Sequence, residues 1–260
     1  MHITVKIKEE DMSEKIIVAE MPGKRLYRDG DYAVKEFDAG YSKADILNEA
    51  LNQARVEETD LNIPKIHAVQ VVDGKWAIVM DYIEGVTLNK LMHEHPEKED
   101  EYLNMFVDLQ RTVLSKRVPM LNKLKDKMQG RISQADLDAT TRYDLHTRLD
   151  ALPKHYNLCH GDFHPCNIII KADGTPYIID WSHATQGNSS ADVARTYLSF
   201  YLDNKKELAE KYLNLYCKKS DTAMQYVQKW IPIVAASRLT KAKPEEDAFL
   251  RSWIGVVDYQ

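Results

Sequence analysis

The chain has 260 residues, with 35 Lys plus Arg against 40 Asp plus Glu and a formal net charge of −5. That balance argues against a protein that holds nucleic acid by electrostatic attraction, and a hydrophobic content of 44% with 14 Tyr and 4 Trp argues against disorder. Cys159, Cys166 and Cys217 include no CxxC pair, so neither a disulfide framework nor a Cys-based zinc site is expected, and a reducing compartment is the simple reading. The start, Met1-His2-Ile3-Thr4-Val5-Lys6, lacks the apolar core of a signal peptide. No window approaches the roughly 18 uninterrupted apolar residues of a membrane span. A cytoplasmic protein without membrane or nucleic-acid partners is expected; oligomeric state is not legible.

In chain order, residues 3–8, 15–19 and 32–37 read as short strands, the last after the turn Arg28-Asp29-Gly30-Asp31. Ser42 then opens an amphipathic helix with Ile46, Leu47, Ala50, Leu51 and Ala54 on its apolar stripe. After Pro64, two strand-like runs over 66–72 and 76–82 are joined by Asp73-Gly74, a strong hairpin signal. From Thr87 the pattern turns helical, over 97–117, 121–130 and 139–152, with Pro96, Pro119 and Pro153 as breaks. One hairpin interrupts it, over 167–171 and 177–180, around Ala172-Asp173-Gly174-Thr175-Pro176. Helices are expected again over 190–202, 205–218, 222–236 and 244–257. The change of pattern near Glu84-Gly85 divides the chain into residues 1–84 and 85–260.

The densest chemistry lies just before that hairpin, in His160-Gly161-Asp162-Phe163-His164-Pro165-Cys166-Asn167. With Asn167 starting one strand and Asp180 ending its partner, both oxygen-bearing side chains reach one edge, which suits a hard cation such as Mg2+. Asp162 on the preceding loop is then positioned to orient, or take a proton from, a hydroxyl that attacks a phosphate. A rival reading takes His160, Asp162 and His164, with His155, as the metal site of a hydrolase.

His160-Gly161-Asp162 with Asn167 and then Asp180 resembles the catalytic signature of the aminoglycoside phosphotransferase and choline kinase family. Tyr32-Ala33-Val34-Lys35 resembles the kinase strand that carries the phosphate-binding lysine, and Glu49 resembles its ion-pair partner. The resemblance implies an α+β, two-lobed protein-kinase-like fold: a small N-terminal antiparallel sheet with one helix, and a larger, mainly helical C-terminal lobe. It implies ATP or GTP as co-substrate with Mg2+, and transfer of the γ-phosphate to a hydroxyl of a small molecule, whether aminoglycoside-like, amino alcohol or sugar. Residue by residue, it implies that Asp162 is the catalytic base and that Asn167 and Asp180 bind the metal. Lys35 would meet the α and β phosphates, with Glu49 positioning it. Ala33, Ile169 and Ile179 would enclose the adenine beside the hinge at Met80 and Tyr82, and Asp192 would brace the catalytic loop.

Two positions depart from the family's pattern. The phosphate-covering loop has the lone Gly23, in Met21-Pro22-Gly23-Lys24-Arg25, and Cys166 stands where the family usually has a glycine. Lys24 and Arg25 offer charge in place of some backbone amide donors. The glycine-poor loop also keeps open a nucleotide-binding regulator with little turnover.

Overall fold

Alternating apolar residues, punctuated by tight turns, build the first sheet of the computed structural model, which describes residues 15–255. Its strands are β1 Ile16–Met21, β2 Lys24–Asp29, β3 Tyr32–Phe37, β4 Ile66–Val72 and β5 Lys75–Asp81, with helix α1 Lys43–Val56 between β3 and β4. They pair antiparallel in the order β1-β2-β3-β5-β4. The strand expected over 3–8 lies outside the described residues. At the β4–β5 turn Asp73 and Gly74 both have positive φ, 50° and 78°, which matches the right-handed twist of the flanking strands. Strand β2 was not expected: in KRLYRD only Tyr27 is buried, so no apolar alternation announces it.

Helix α1 turns a different face to the sheet than its apolar residues suggest. Ile46, Ala50 and Val56 are buried as expected of a core face, but so are Asn52 and Gln53, whereas Leu47 and Leu51 are 42% and 47% exposed. Hydrogen bonds account for the rotation: Gln53 Nε2 donates to the Pro64 carbonyl (2.8 Å) and Asn52 Nδ2 to the Ser182 carbonyl (3.2 Å). A buried amide that finds a partner costs little, while one left without a partner costs about 1–3 kcal/mol. Glu49 therefore lies within the inward face.

The remainder runs β6 Val86–Thr87, α2 Leu88–Glu94, α3 Glu99–Ser115, α4 Leu124–Gln134, α5 Ala139–Ala151, β7 Asn157–Cys159, β8 Ile168–Ile170, β9 Pro176–Ile178 and β10 Thr185–Gly187, then α6 Ser189–Leu202, α7 Lys206–Ser220, α8 Met224–Gln228, α9 Ile231–Leu239 and α10 Pro244–Ile254. The helix expected over 222–236 is two, because Pro232 has no N–H to continue a ladder and sits instead in the first turn of α9. Strands β7 and β10 pair with each other, and their three residues are too few to show a period.

The main core packs Phe106 of α3, Phe200 of α6, Tyr212 of α7 and Ile233 of α9 around Phe163 and Trp181. Phe163 lies within the catalytic-type loop and Trp181 packs against His160 at its start, so the loop's polar residues sit on a wall that packing holds still. Val56 and Ile63 join the same core, anchoring the end of α1 to it. Among the described residues no helix is long and apolar enough to cross a membrane.

Candidate active site

Strand alternation places Ala33, Lys35 and Phe37 on one face of β3, turned toward α1. Lys35 is only 7% exposed, and its Nζ bonds Glu49 Oε1 and lies 3.7 Å from Asp180 Oδ1. Burial opposes its charge, yet Asp180 and Glu49 outweigh burial and hold its pKa above the ordinary lysine value. Lys24, from β2, reaches the second oxygen of the same glutamate (Nζ to Oε2, 3.3 Å) and lies over the rings of Phe37 and Tyr41. Two ammonium groups thus converge on one carboxylate.

The β1–β2 connection at the mouth of the site is Pro22-Gly23, a tight hairpin turn rather than a glycine-rich loop. Gly23 has φ 73°, and a Cβ there would come 2.6 Å from the Tyr41 ring. The glycine therefore serves the turn and its ring contact.

Hairpin β8–β9 brings the acidic and amide groups together. Ile179 N–H donates to the Asn167 carbonyl at 2.9 Å, which sets Asp180 beside Asn167. Asn167 Nδ2 donates to Asp162 twice, to its carbonyl (2.9 Å) and to Oδ2 (3.3 Å), leaving the Asn167 side-chain oxygen for another partner. Asp180 adopts the left-handed conformation, φ 60° and ψ 65°, a strained one for a residue with a Cβ. Burial pushes its pKa up, but Lys35, a Ser182 hydrogen bond and two nearby histidines bring it down to about 2. Its Oδ1 is buried with no hydrogen-bond partner among the described residues. That ionised oxygen faces Lys35 Nζ at 3.7 Å yet accepts no hydrogen bond, and beside a free amide oxygen it makes a donor set that fits a hard divalent cation.

Asp162 is held from below. Gly161 N–H donates to Asp192 Oδ1 at 2.7 Å, and Arg195 Nη2 approaches Asp162 Oδ1 at 3.7 Å. Gly161 itself is at φ 77°, and a Cβ would meet the His183 carbonyl oxygen at 2.6 Å. Gly161→Ala is therefore expected to lower unfolding free energy by about 1–3 kcal/mol, read from a urea melt. An unchanged midpoint would show that the loop is not held as described.

Both histidines of the loop are fully engaged. His160 Nδ1 accepts from Asp162 N–H (3.2 Å) and its Nε2 donates to the Ile179 carbonyl (3.0 Å). His164 Nδ1 accepts from Cys166 N–H (3.3 Å) and Nε2 bonds Asp203 Oδ2 (2.9 Å). No ring lone pair is left for a metal, and the described residues contain no group of three His, Cys, Asp or Glu able to hold one. The hydrolase site is thus not assembled. Cys166 is exposed at the edge of the loop.

The expected nucleotide-contacting positions are spread over the facing surfaces. Ala33 and Met80 are paired neighbours on β3 and β5. Ile168 and Ile178 point into the core, so alternation turns Ile169 and Ile179 to the opposite face of their hairpin. Tyr82 is placed differently from a free hinge contact: its N–H donates to the Asp31 carbonyl (2.9 Å) and its ring lies under Arg28. A cleft of about 550 Å3 opens beside Asp162, lined by Asn167, Tyr201, Asp203, Arg238 and Phe249 among others. Sequence reasoning did not find Arg195, which faces Asp162 from α6; its position three after Asp192, on the same helix side, was the available signal.

A lysine on the five-stranded sheet paired with a glutamate on the helix behind it, facing an Asp–Asn–Asp set on the β8–β9 hairpin and the loop before it, defines a phosphotransferase of the kinase-like fold. The chain belongs to the phosphotransferase enzyme family (APH), whose sequence profile matches residues 24–230. Among solved structures it is similar to a thermostable mutant of aminoglycoside phosphotransferase APH(4)-Ia in ternary complex with ADP and hygromycin B. That likeness has TM-score 0.69 and 13% identity, covering 95% of each chain. It is also similar to aminoglycoside-3'-phosphotransferase of type VIII (TM-score 0.65, 16% identity, 89% of this chain and 93% of that one). Choline kinase LicA from Streptococcus pneumoniae follows at TM-score 0.61 and 14% identity, with 93% and 95% covered. Among curated proteins no sequence relative matches.

Proposed function

We propose that this protein transfers the γ-phosphoryl group of ATP to a hydroxyl of a small molecule, with residues 1–84 and 85–260 closing as two lobes around the nucleotide. The observation that carries the reading is the continuous line of groups from Glu49 through Lys35 and Asp180 to Asn167 and Asp162. Asp180 and the side-chain oxygen of Asn167 would hold Mg2+, which when bound neutralises charge on the phosphate oxygens. Lys35, kept charged by its two carboxylates, holds the nucleotide's phosphates. Glu49 fixes its direction, and Lys24 supplies a side-chain donor where a glycine-rich loop would supply amides.

In the transfer the bond from the γ-phosphorus to the bridging oxygen of ADP breaks and a new P–O bond forms to the acceptor oxygen. The acceptor's proton passes to the Asp162 carboxylate, which Asn167 and Arg195 hold in place. Positioning and electrostatics supply most of the rate. Ala33, Met80, Ile169 and Ile179 give the base an apolar slot. With the Tyr82 N–H occupied, the backbone just beyond it, at Ile83, meets the base edge. The intact ion-pair set around Asp180 favours turnover over the regulator reading.

The test is Mg2+-dependent ADP release by purified protein over a panel of hydroxyl compounds. Acceptor-stimulated release upholds the proposal. Failure to bind Mg2+–ATP by calorimetry would sink it.

A further inference from the structure

Asp180 has a left-handed backbone, and a residue with a Cβ keeps that conformation only where its surroundings hold it there. The three residues after it are held one by one. Trp181 is fully buried, and its Nε1 donates to the Ile178 carbonyl at 3.0 Å. The Ser182 carbonyl accepts from Asn52 Nδ2 at 3.2 Å, and the His183 carbonyl accepts from Lys127 Nζ at 3.2 Å. The Ser182 side chain in turn hydrogen-bonds Asp180. Trp181 and Lys127 lie, like Asp180, within residues 85–260. Asn52 alone of these holders comes from α1, the helix packed on the N-terminal sheet.

Asn52 is an unusual residue for its place. It is 2% exposed and lies three residues after Glu49 and four before Val56, on one helix face, where an apolar side chain would be ordinary. A carbonyl only accepts, so the amide nitrogen faces Ser182, and the amide oxygen is left buried without a partner among the described residues. A buried acceptor without a partner costs stability. Such a cost on an otherwise consistent helix face marks a position that serves the site rather than the fold.

We propose that Asn52 is a positioning residue for the metal ligand: through Ser182 it fixes the turn that gives Asp180 its left-handed setting. The inference rests on the kinase reading above. Helix α1 then governs Asp180 at two points, through Glu49 with Lys35 and through Asn52. The first link supplies charge, with Lys35 Nζ 3.7 Å from Asp180 Oδ1. The second supplies direction, because it acts on the backbone after Asp180 and leaves the charge of the carboxylate alone. The same turn abuts the catalytic loop, since a Cβ on Gly161 would stand 2.6 Å from the His183 carbonyl oxygen.

The test is calorimetric binding of the unreactive ATP analogue AMP-PNP, once in saturating Mg2+ and once in EDTA. The ratio of the two Kd values measures what the metal adds. Asn52→Leu has the branching of asparagine without its polar atoms. It should reduce that ratio by about 3–10-fold, the worth of one hydrogen bond, while the Kd in EDTA stays within about twofold of wild type. Ser182→Ala should reduce the ratio by about 10-fold, as loss of a group behind a metal ligand does. In the double variant the reduction should be smaller than the product of the two, because Asn52 acts through Ser182. The thermal midpoint of Asn52→Leu should match or exceed that of the wild type, since the partnerless oxygen is gone; should the methyl groups lower it, Asn52→Ala is read in its place.

An unchanged ratio in the folded variant overturns the proposal, and so does a full product in the double variant. Binding weakened as much in EDTA as in Mg2+ would make Asn52 part of the fold alone and also overturn it. If wild-type protein binds AMP-PNP no better with Mg2+ than without, Asp180 is not a metal ligand and the proposal falls. If it binds no nucleotide under either condition, the kinase reading itself fails and takes this inference with it.

Discussion

Asp162→Asn is expected to lower kcat by about 10³-fold, within the range of 10²–10⁴ for loss of a positioned base, while the Kd for Mg2+–ATP stays within about threefold. The amide keeps the volume of the carboxyl and one acceptor oxygen, so the loop is not disturbed by size. What it loses is the ability to take the acceptor's proton and the charge that faces Arg195 Nη2 at 3.7 Å. The proposed function assigns nucleotide binding to other groups, chiefly Lys35, Asn167 and Asp180. Single-turnover kinetics and calorimetry separate the two effects. Wild-type turnover in this variant would remove Asp162 from the chemistry, and joint loss of turnover and binding would mean that its role is structural.

Lys35→Met is expected to cost about 10²–10³-fold in kcat/KM for ATP, the scale for losing one preorganised electrostatic contact to developing charge. Stability should fall less than removal of half a buried ion pair usually implies, by about 1–3 kcal/mol rather than about 3–5. The reason is Lys24, which still holds Glu49 Oε2 at 3.3 Å, so only Asp180 loses its nearest cation. A urea melt together with ATP-dependent kinetics measures both quantities. Unchanged kinetics would remove Lys35 from the phosphate site. A stability loss well above the stated range would show that Lys24 does not share the glutamate.

Local signals made the β4–β5 and β8–β9 hairpins and the loop before the second legible. Asp73-Gly74 strongly favours a tight hairpin turn, and the loop from His160 to Asn167 carries its chemistry within a few consecutive residues. Glu49 was legible by its distance from Lys35 along the chain, although the apolar stripe on α1 pointed to a face that the structure exposes at Leu47 and Leu51. Periodicity counts apolar side chains and is blind to amides that bury because they find partners, as Asn52 and Gln53 do. Three-residue strands such as β7 and β10 carry too few residues for any period.

The bonds around α1 also bear on control. Asn52 Nδ2 donates to the Ser182 carbonyl, Asn62 Nδ2 to the Pro176 carbonyl (3.3 Å), and Ile178 N–H to the Asn62 carbonyl (2.9 Å). Together they tie the helix that carries Glu49, and the segment after it, to the hairpin that carries Asp180. Swinging α1 outward would break the Asn52 bond, at about 1 kcal/mol, and with it the Lys35–Glu49 pair, while the Asn62 bonds hold the segment after the helix in place. The molecule rests with its ion pair already made.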